Sequence, residues 1–207
     1  MGRYIGPKNK IARRFGVNLG LKTNAAKVAR RLTQKPGVHG AKRRRGGLST
    51  YAKQLTEKQK AKCIYGLRER QFSGYVKEAE RVVGNSGINL KQILEQRLDN
   101  VVYRLGFAKT RAQARQFVSH SMFTVNGKKM NIPSYLVKTE DVITLKESKH
   151  KKGVFVDIVE QLTNVELPSW LSVDAKKKEG KVLHMPTEQD FDKIFDEKLI
   201  IEYYSTR

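Results

Sequence analysis

Residues 94–132 read "LEQRLDNVVYRLGFAKTRAQARQFVSHSMFTVNGKKMNI", and their spacing decides the fold. Leu90, Leu94, Leu98, Val101, Val102 and Leu105 recur at helical intervals and form one apolar stripe. That spacing predicts a single amphipathic helix, capped by Asn89 with Gln92 three residues on and ended by Gly106. Thr110 and Gln113 repeat the capping-box pattern, and Ala114, Phe117, Val118 and Ser121 then mark the inward face of a second helix. Asn126-Gly127 sits between alternating residues, the strongest short hairpin signal. Phe123 and Val125 are expected to pair with Met130 and Ile132 across it, with a further strand at 141–145. Two helices on a small antiparallel sheet make this part α+β.

The same stretch is strongly cationic. Arg111 and Arg115 are four apart, on a face opposite Phe117 and Val118. Arg97 and Arg104, seven apart, are expected to share a face of the preceding helix, and Lys128 lies at the hairpin tip. Such a surface suits phosphates on a fixed shape better than base edges.

Outward to the N-terminus, residues 1–56 contain no acid and fifteen Lys or Arg, broken repeatedly by glycine. The only helix-like piece is 25–32, and the segment reads as an extended arm that folds on a polyanion. At Thr56 the character changes: "TEKQ" predicts a helix capped by Thr56 and running to about Tyr65. Gly66 interrupts it, and a second helix is expected over 69–83, with Phe72, Val76, Ala79 and Val83 inward. Outward to the C-terminus, a helix near 154–162, strands at 170–173 and 181–184 and a last helix near 192–203 are expected. Residues 186–202 carry six acids against two lysines, the most acidic segment of the chain.

Across 207 residues, Lys and Arg number 42 against 20 acids, a net charge of +22. A polyanion partner follows. The apolar runs are a few residues long, far short of the roughly 20 a spanning helix needs, so no membrane partner is expected. Cys63 stands alone, which rules out an internal disulfide and a cysteine zinc cluster and fits a reducing cytoplasm. The four histidines are scattered, and no phosphate-cradling glycine loop or nucleophile elbow occurs. No enzyme, cofactor or metal is expected.

Residues 94–135 resemble the S-four RNA-binding domain in its ribosomal form. "MGRYIGP", "PGVHGAKRRR", "LSTYAKQLTEKQKAKCIYGLRERQF", "WLSVD" and "IIEYYS" extend the resemblance to the bacterial-type small-subunit ribosomal S-four family over essentially the whole chain. The resemblance implies a basic arm (1–45), a helical domain (46–87) completed by a C-terminal helix (186–207), and an inserted RNA-binding domain with its extension (88–185, core 95–146). It implies a primary binder of small-subunit rRNA that nucleates the five-prime domain. Other implied partners are mRNA near its path into the subunit, beside Lys42, Arg43, Arg44 and Arg45, and ribosomal protein S-five through the acidic C-terminal segment. A cytoplasmic ribosome is the expected location, with an organellar one compatible.

Charge and resemblance together give the expected RNA-binding residues. In the arm these are Arg3, Lys8, Lys10, Arg13, Arg14 and Lys42–Arg45. In the helical domain they are Lys53, Lys58, Lys60, Lys62, Arg68 and Arg70, and in the inserted domain Arg97, Arg104, Arg111, Arg115, His120, Asn126 and Lys128. Many relatives carry four arm cysteines that hold zinc or an iron–sulfur cluster. Asn9, Ala12, Ala26 and Arg31 stand at the matching places, so the chain resembles the cysteine-free branch. S-four domains also accompany RNA-modifying enzymes and a tRNA synthetase, but those need a separate catalytic domain. A role as translational repressor is compatible with the ribosomal one.

Overall fold

The computed structural model describes residues 4–38, 40, 47–150, 153–156, 158–163 and 165–206. Its contacts divide the chain into two compact units, Met1–Lys91 with Asp192–Arg207, and Gln92–Phe191. Among the described residues, no helix is long and apolar enough to cross a membrane.

The first unit is helical. α1 (Lys8–Phe15) lies where the sequence suggested only extended arm. Its charged residues mask a short inward side centred on buried Ala12, and Gly16 at φ 68° ends it by donating its N–H to the Ala12 carbonyl. α2 (Ala25–Ala29) is shorter than expected, capped by the Asn24 side chain. α3 (Thr50–Ile64) begins seven residues before the expected start. Ser49 caps it, and Thr56 lies mid-helix with its hydroxyl donating to the Ala52 carbonyl. The residues between Ser49 and Thr56 carry no clear apolar stripe that would mark the earlier start.

Gly66, at φ 62°, turns the chain into α4 (Glu69–Arg81), which buries Phe72, Val76 and Ala79. Val83 is exposed, beyond the helix end. α9 (Glu197–Ser205) packs on α3 and α4. Tyr51 and Tyr203, and Phe72 and Tyr204, meet there at centroid distances of 5.9 and 6.2 Å.

The long helix expected over 89–105 is instead two: α5 (Ser86–Glu95) and α6 (Leu98–Arg104). Arg97 between them is extended at ψ 132°, and the backbone there pairs with Leu136. The stripe keeps its phase across this break, because Leu90, Leu94, Leu98, Val101 and Val102 are all fully buried. Asn89 is no cap. It sits inside α5, where its amide donates to the Ala79 and Val82 carbonyls at the end of α4.

In the second unit, α7 (Arg111–Ser119) follows α6 and packs on it. Thr110 accepts from the Gln113 N–H as expected, and Ala114, Phe117 and Val118 face inward. β1 (Phe123–Val125), β2 (Lys128–Met130), β3 (Val142–Leu145), β4 (Leu171–Asp174) and β5 (Glu179–Val182) form one antiparallel sheet in the order β2-β1-β3-β5-β4. Phe123 pairs with Met130, but Val125 pairs with Lys128, and Ile132 lies outside the strand with half its surface exposed. α8 (Ile158–Thr163) covers part of the region where one longer helix was expected; Gly153–Phe155 forms a separate 3₁₀ turn.

The core of this unit joins α6, α7 and the sheet. Phe107 meets Phe123 edge-on at 5.3 Å, and Phe117 meets Phe155 at 5.0 Å. The fold is α+β, a helical unit and a unit in which helices pack on a small antiparallel sheet.

Candidate nucleic-acid interface

In the second unit, the expected cations gather on α6 and α7 around two inward carboxylates. Glu95, buried to 1%, accepts from Arg104 through both oxygens, Nε to Oε2 at 2.9 Å and Nη2 to Oε1 at 3.0 Å. The Asn100 amide donates to the same Oε2 at 2.8 Å, and its carbonyl oxygen accepts from Arg111 Nε at 2.8 Å. The Arg111 guanidinium carbon lies 4.5 Å from the Tyr103 ring centroid. Asp99 is the second carboxylate. Arg97 grips it with Nη2 at 2.7 Å and Nε at 3.1 Å, and Arg115 Nη1 approaches it at 3.4 Å. Burial pushes the Asp99 carboxyl up, and the Arg97 and Arg115 charges offset part of that shift.

This geometry sorts the four arginines. Arg104, Arg111 and Arg115 are half-buried, each oriented by a partner on the neighbouring turn or helix. A guanidinium fixed in this way keeps its planar fork in one attitude, which suits a phosphate oxygen pair. Arg97 differs: it is fully buried and serves the interior, contrary to the expectation that it shares a surface with Arg104. The reason is the break at Gln96–Arg97, which removes the helical seven-residue relation between them.

Asn126 is exposed, and its side chain also holds the turn. It is at φ 49°, its amide donates to Asp141 at 2.8 Å, and its carbonyl oxygen accepts from the Val142 N–H at 2.9 Å. The Asp141 carboxylate is buried and accepts from the Lys138 N–H and the Tyr135 hydroxyl as well. Asn126 thus locks the hairpin turn onto β3, and the side chains it exposes are those of Lys128 and Lys129. His120 caps the end of α7 and is exposed. Lys109, Lys129 and Lys138 are exposed cations of this unit that the helix-face reasoning missed. Lys109 and Lys138 lie between elements, where periodicity gives no face to read, and Lys129 is the middle residue of the three-residue β2.

In the first unit, Lys10, Arg14, Lys53, Arg68 and Arg70 are exposed, and Lys8 is half-buried. Arg13 is half-buried and donates Nε to the Gln34 carbonyl at 2.8 Å, tying α1 to the turn after α2. Lys58 corrects the expectation outright. It is 4% exposed, ion-paired with Glu69 at 2.7 Å and 4.4 Å from the Tyr203 ring centroid. It sits on the inward side of α3 because that helix packs on α9.

Lys60 and Lys62 are half-buried and held by Glu57 and Glu69 at 2.7 and 3.0 Å. Burial alone would raise Glu69, but hydrogen bonds from Lys58, Tyr204 and Lys62 outweigh it and hold the carboxyl at about 2. The C-terminal acids are likewise engaged within this unit: Glu197 with Lys91 at 2.6 Å, and Glu202 with the Gln54 amide at 3.1 Å. Arg3 and Lys42–Arg45 lie outside the described residues.

Two helices pack on a small sheet here, with arginines oriented by buried carboxylates, and residues 96–143 match the family described as S4 domain. Residues 3–95 match the family described as Ribosomal protein S4/S9 N-terminal domain. The small ribosomal subunit protein uS4 of Herpetosiphon aurantiacus is 51% identical over 210 residues, covering 99% of this chain and 100% of that protein. The chain belongs to the S4 family of ribosomal proteins, a structural and non-enzymatic family.

Proposed function

We propose that the protein is a structural constituent of the small ribosomal subunit and binds small-subunit rRNA through phosphate contacts. The full-length similarity to a small-subunit protein carries this reading. The inward placement of Glu95 and Asp99 supports it, because the carboxylates of α5 and α6 orient arginines instead of repelling a polyanion. The contact set comprises Arg104, Arg111, Arg115, His120, Lys128 and Lys129 in one unit, and Lys10, Arg14, Lys53, Arg68 and Arg70 in the other.

The finer roles follow the family. Binding of the five-prime rRNA domain early in assembly is assigned to both units. The cluster Lys42–Arg45 is assigned to the path by which mRNA enters. The C-terminal segment is assigned to protein S-five and, with it, to translational accuracy. Glu197 and Glu202 are engaged internally, whereas Glu188 and Asp196 of the same segment are exposed. The cytoplasm is the expected place of action.

The test is competition between a five-prime-domain rRNA fragment and a three-prime fragment of equal length, together with sedimentation beside small subunits. A preference of about tenfold or more, the factor that roughly 1.4 kcal/mol represents, is expected. Equal affinity for both fragments would reduce the interaction to non-specific charge attraction.

A further inference from the structure

An open cleft of about 580 Å³ lies in the second unit, between the α6–α7 turn and the segment around α8. Its lining is chemically mixed. Arg104 and Lys109 supply positive charge, Glu160 and Glu166 supply carboxylates, and Tyr103 contributes an aromatic ring. The walls are held close: at Gly106, which has φ 87°, a Cβ would come within 2.6 Å of Val165 Cγ2. Glycine is therefore required both by the backbone and by the approach of the second wall. The Tyr103 ring is fixed by Arg111 at 4.5 Å, and Arg104 by its two bonds to Glu95.

A run of phosphates does not match this site, because Glu160 and Glu166 are exposed and repel it. This mixed lining suits a ligand that combines a negative charge, a flat π-surface and a hydrogen-bond donor edge. A single nucleotide turned out of its stack has all three, and the volume lies within the range of about 300–1,000 Å³ typical of small-ligand sites. Among the four bases, guanine alone presents two adjacent N–H groups, N1–H and N2–H, that a carboxylate can accept side by side. Adenine and cytosine place a ring acceptor beside their amino group, and uracil flanks its one N–H with carbonyls.

We propose that this cleft receives one unstacked guanosine nucleotide of the bound RNA, phosphate toward Arg104 and Lys109, base beside Tyr103, and Watson–Crick edge on Glu160 or Glu166. The inference rests on the RNA-binding reading above and deepens it. Phosphate contacts set affinity, and this cleft adds a base-reading point to them.

The experiment is an amide NMR titration of the full chain with GMP, AMP, CMP, UMP, inorganic phosphate and N-acetyl-arginine amide. GMP is expected to shift the amides of Ala108, Lys109, Val165 and Glu166 at a concentration at least about threefold below any other probe, a difference of roughly 0.65 kcal/mol. Glu160→Ala combined with Glu166→Ala should erase that preference, and both positions are exposed, so folding is retained. Equal shifts from all four nucleotides or from phosphate alone would reduce the cleft to an anion patch. Tighter binding of the arginine amide would make it a protein-contact site, and no shift with any probe would leave no site at all; each result overturns the proposal. An rRNA-fragment titration on the same sample separates the two readings: binding to rRNA without a GMP response ends the cleft proposal alone, whereas loss of both ends the RNA reading.

Discussion

Arg97 and Asp99 form an ion pair closed off from solvent, with Nη2 2.7 Å from Oδ2 and the arginine fully buried. Removing one member of such a pair strands the other without compensation. Arg97→Ala is therefore expected to destabilise the second unit by roughly 3–5 kcal/mol. Urea denaturation of parent and variant checks this. A loss below about 1 kcal/mol, the ceiling typical of exposed pairs, would show that Arg97 reaches solvent and is available to RNA after all.

Arg111 and Arg115 are the contrasting case, because both are only half-buried. Their joint replacement by Ala should cost at least about tenfold in rRNA affinity, the loss of one or two charge-assisted contacts. The structure adds a stability cost, since Arg111 bonds Asn100 and stacks on Tyr103; about 1–2 kcal/mol is expected from those two terms. Phe117→Ala opens the core beside Phe155 and should lose roughly 3–5 kcal/mol without RNA. Thermal unfolding and rRNA-fragment binding on both variants separate the effects. An arginine variant that binds like the parent would mean this face is merely solvated.

Asn126→Gly isolates the side chain that locks the hairpin. Glycine accepts the positive φ of this position, so the turn itself is preserved. What is lost is the pair of bonds to Asp141 and Val142, leaving a buried carboxylate short of one donor. A stability loss of about 1–3 kcal/mol is expected. An unchanged unfolding midpoint would show that the Asn126 side chain does not hold the turn to β3.

Glu69 gives the first unit an acid limb. Its carboxyl is held at about 2 when folded, below the ordinary 4.5, so its contribution is complete above about pH 4.5 and fades as pH falls toward 2. Glu69→Gln should lower stability by a constant amount above pH 5, and the difference between parent and variant should close between about pH 4.5 and 2. Denaturation curves at stepped pH read this out. A difference that stayed constant down to pH 2 would show that Lys58, Tyr204 and Lys62 do not hold the ionised form.

The α6–α7–hairpin unit was legible because its signals agree: the Leu90–Leu105 stripe, the Thr110 cap and Asn126-Gly127 all point to one arrangement. The break at Gln96–Arg97 was hidden, since the stripe holds its phase through it and the interruption is made by backbone pairing with Leu136, a distant partner. That break is also why Arg97 was misread. Lys58 was misread for a related reason: its burial depends on α9, which lies some 140 residues along the chain. Charge alone marks a lysine as solvated unless the covering element is known. Tyr103 escaped notice because an aromatic on an amphipathic helix reads as core until the guanidinium over it is seen.

The dependence of rRNA affinity on salt tests the central claim most directly. If phosphate contacts dominate, with roughly 6–10 phosphates neutralised by the exposed cations, affinity should fall by about 10³–10⁵ between 50 and 200 mM salt. The five-prime-domain fragment and the full chain are the pair to use. An affinity that hardly moves over this range would contradict the account, because binding would then rest on contacts other than the cationic surfaces described.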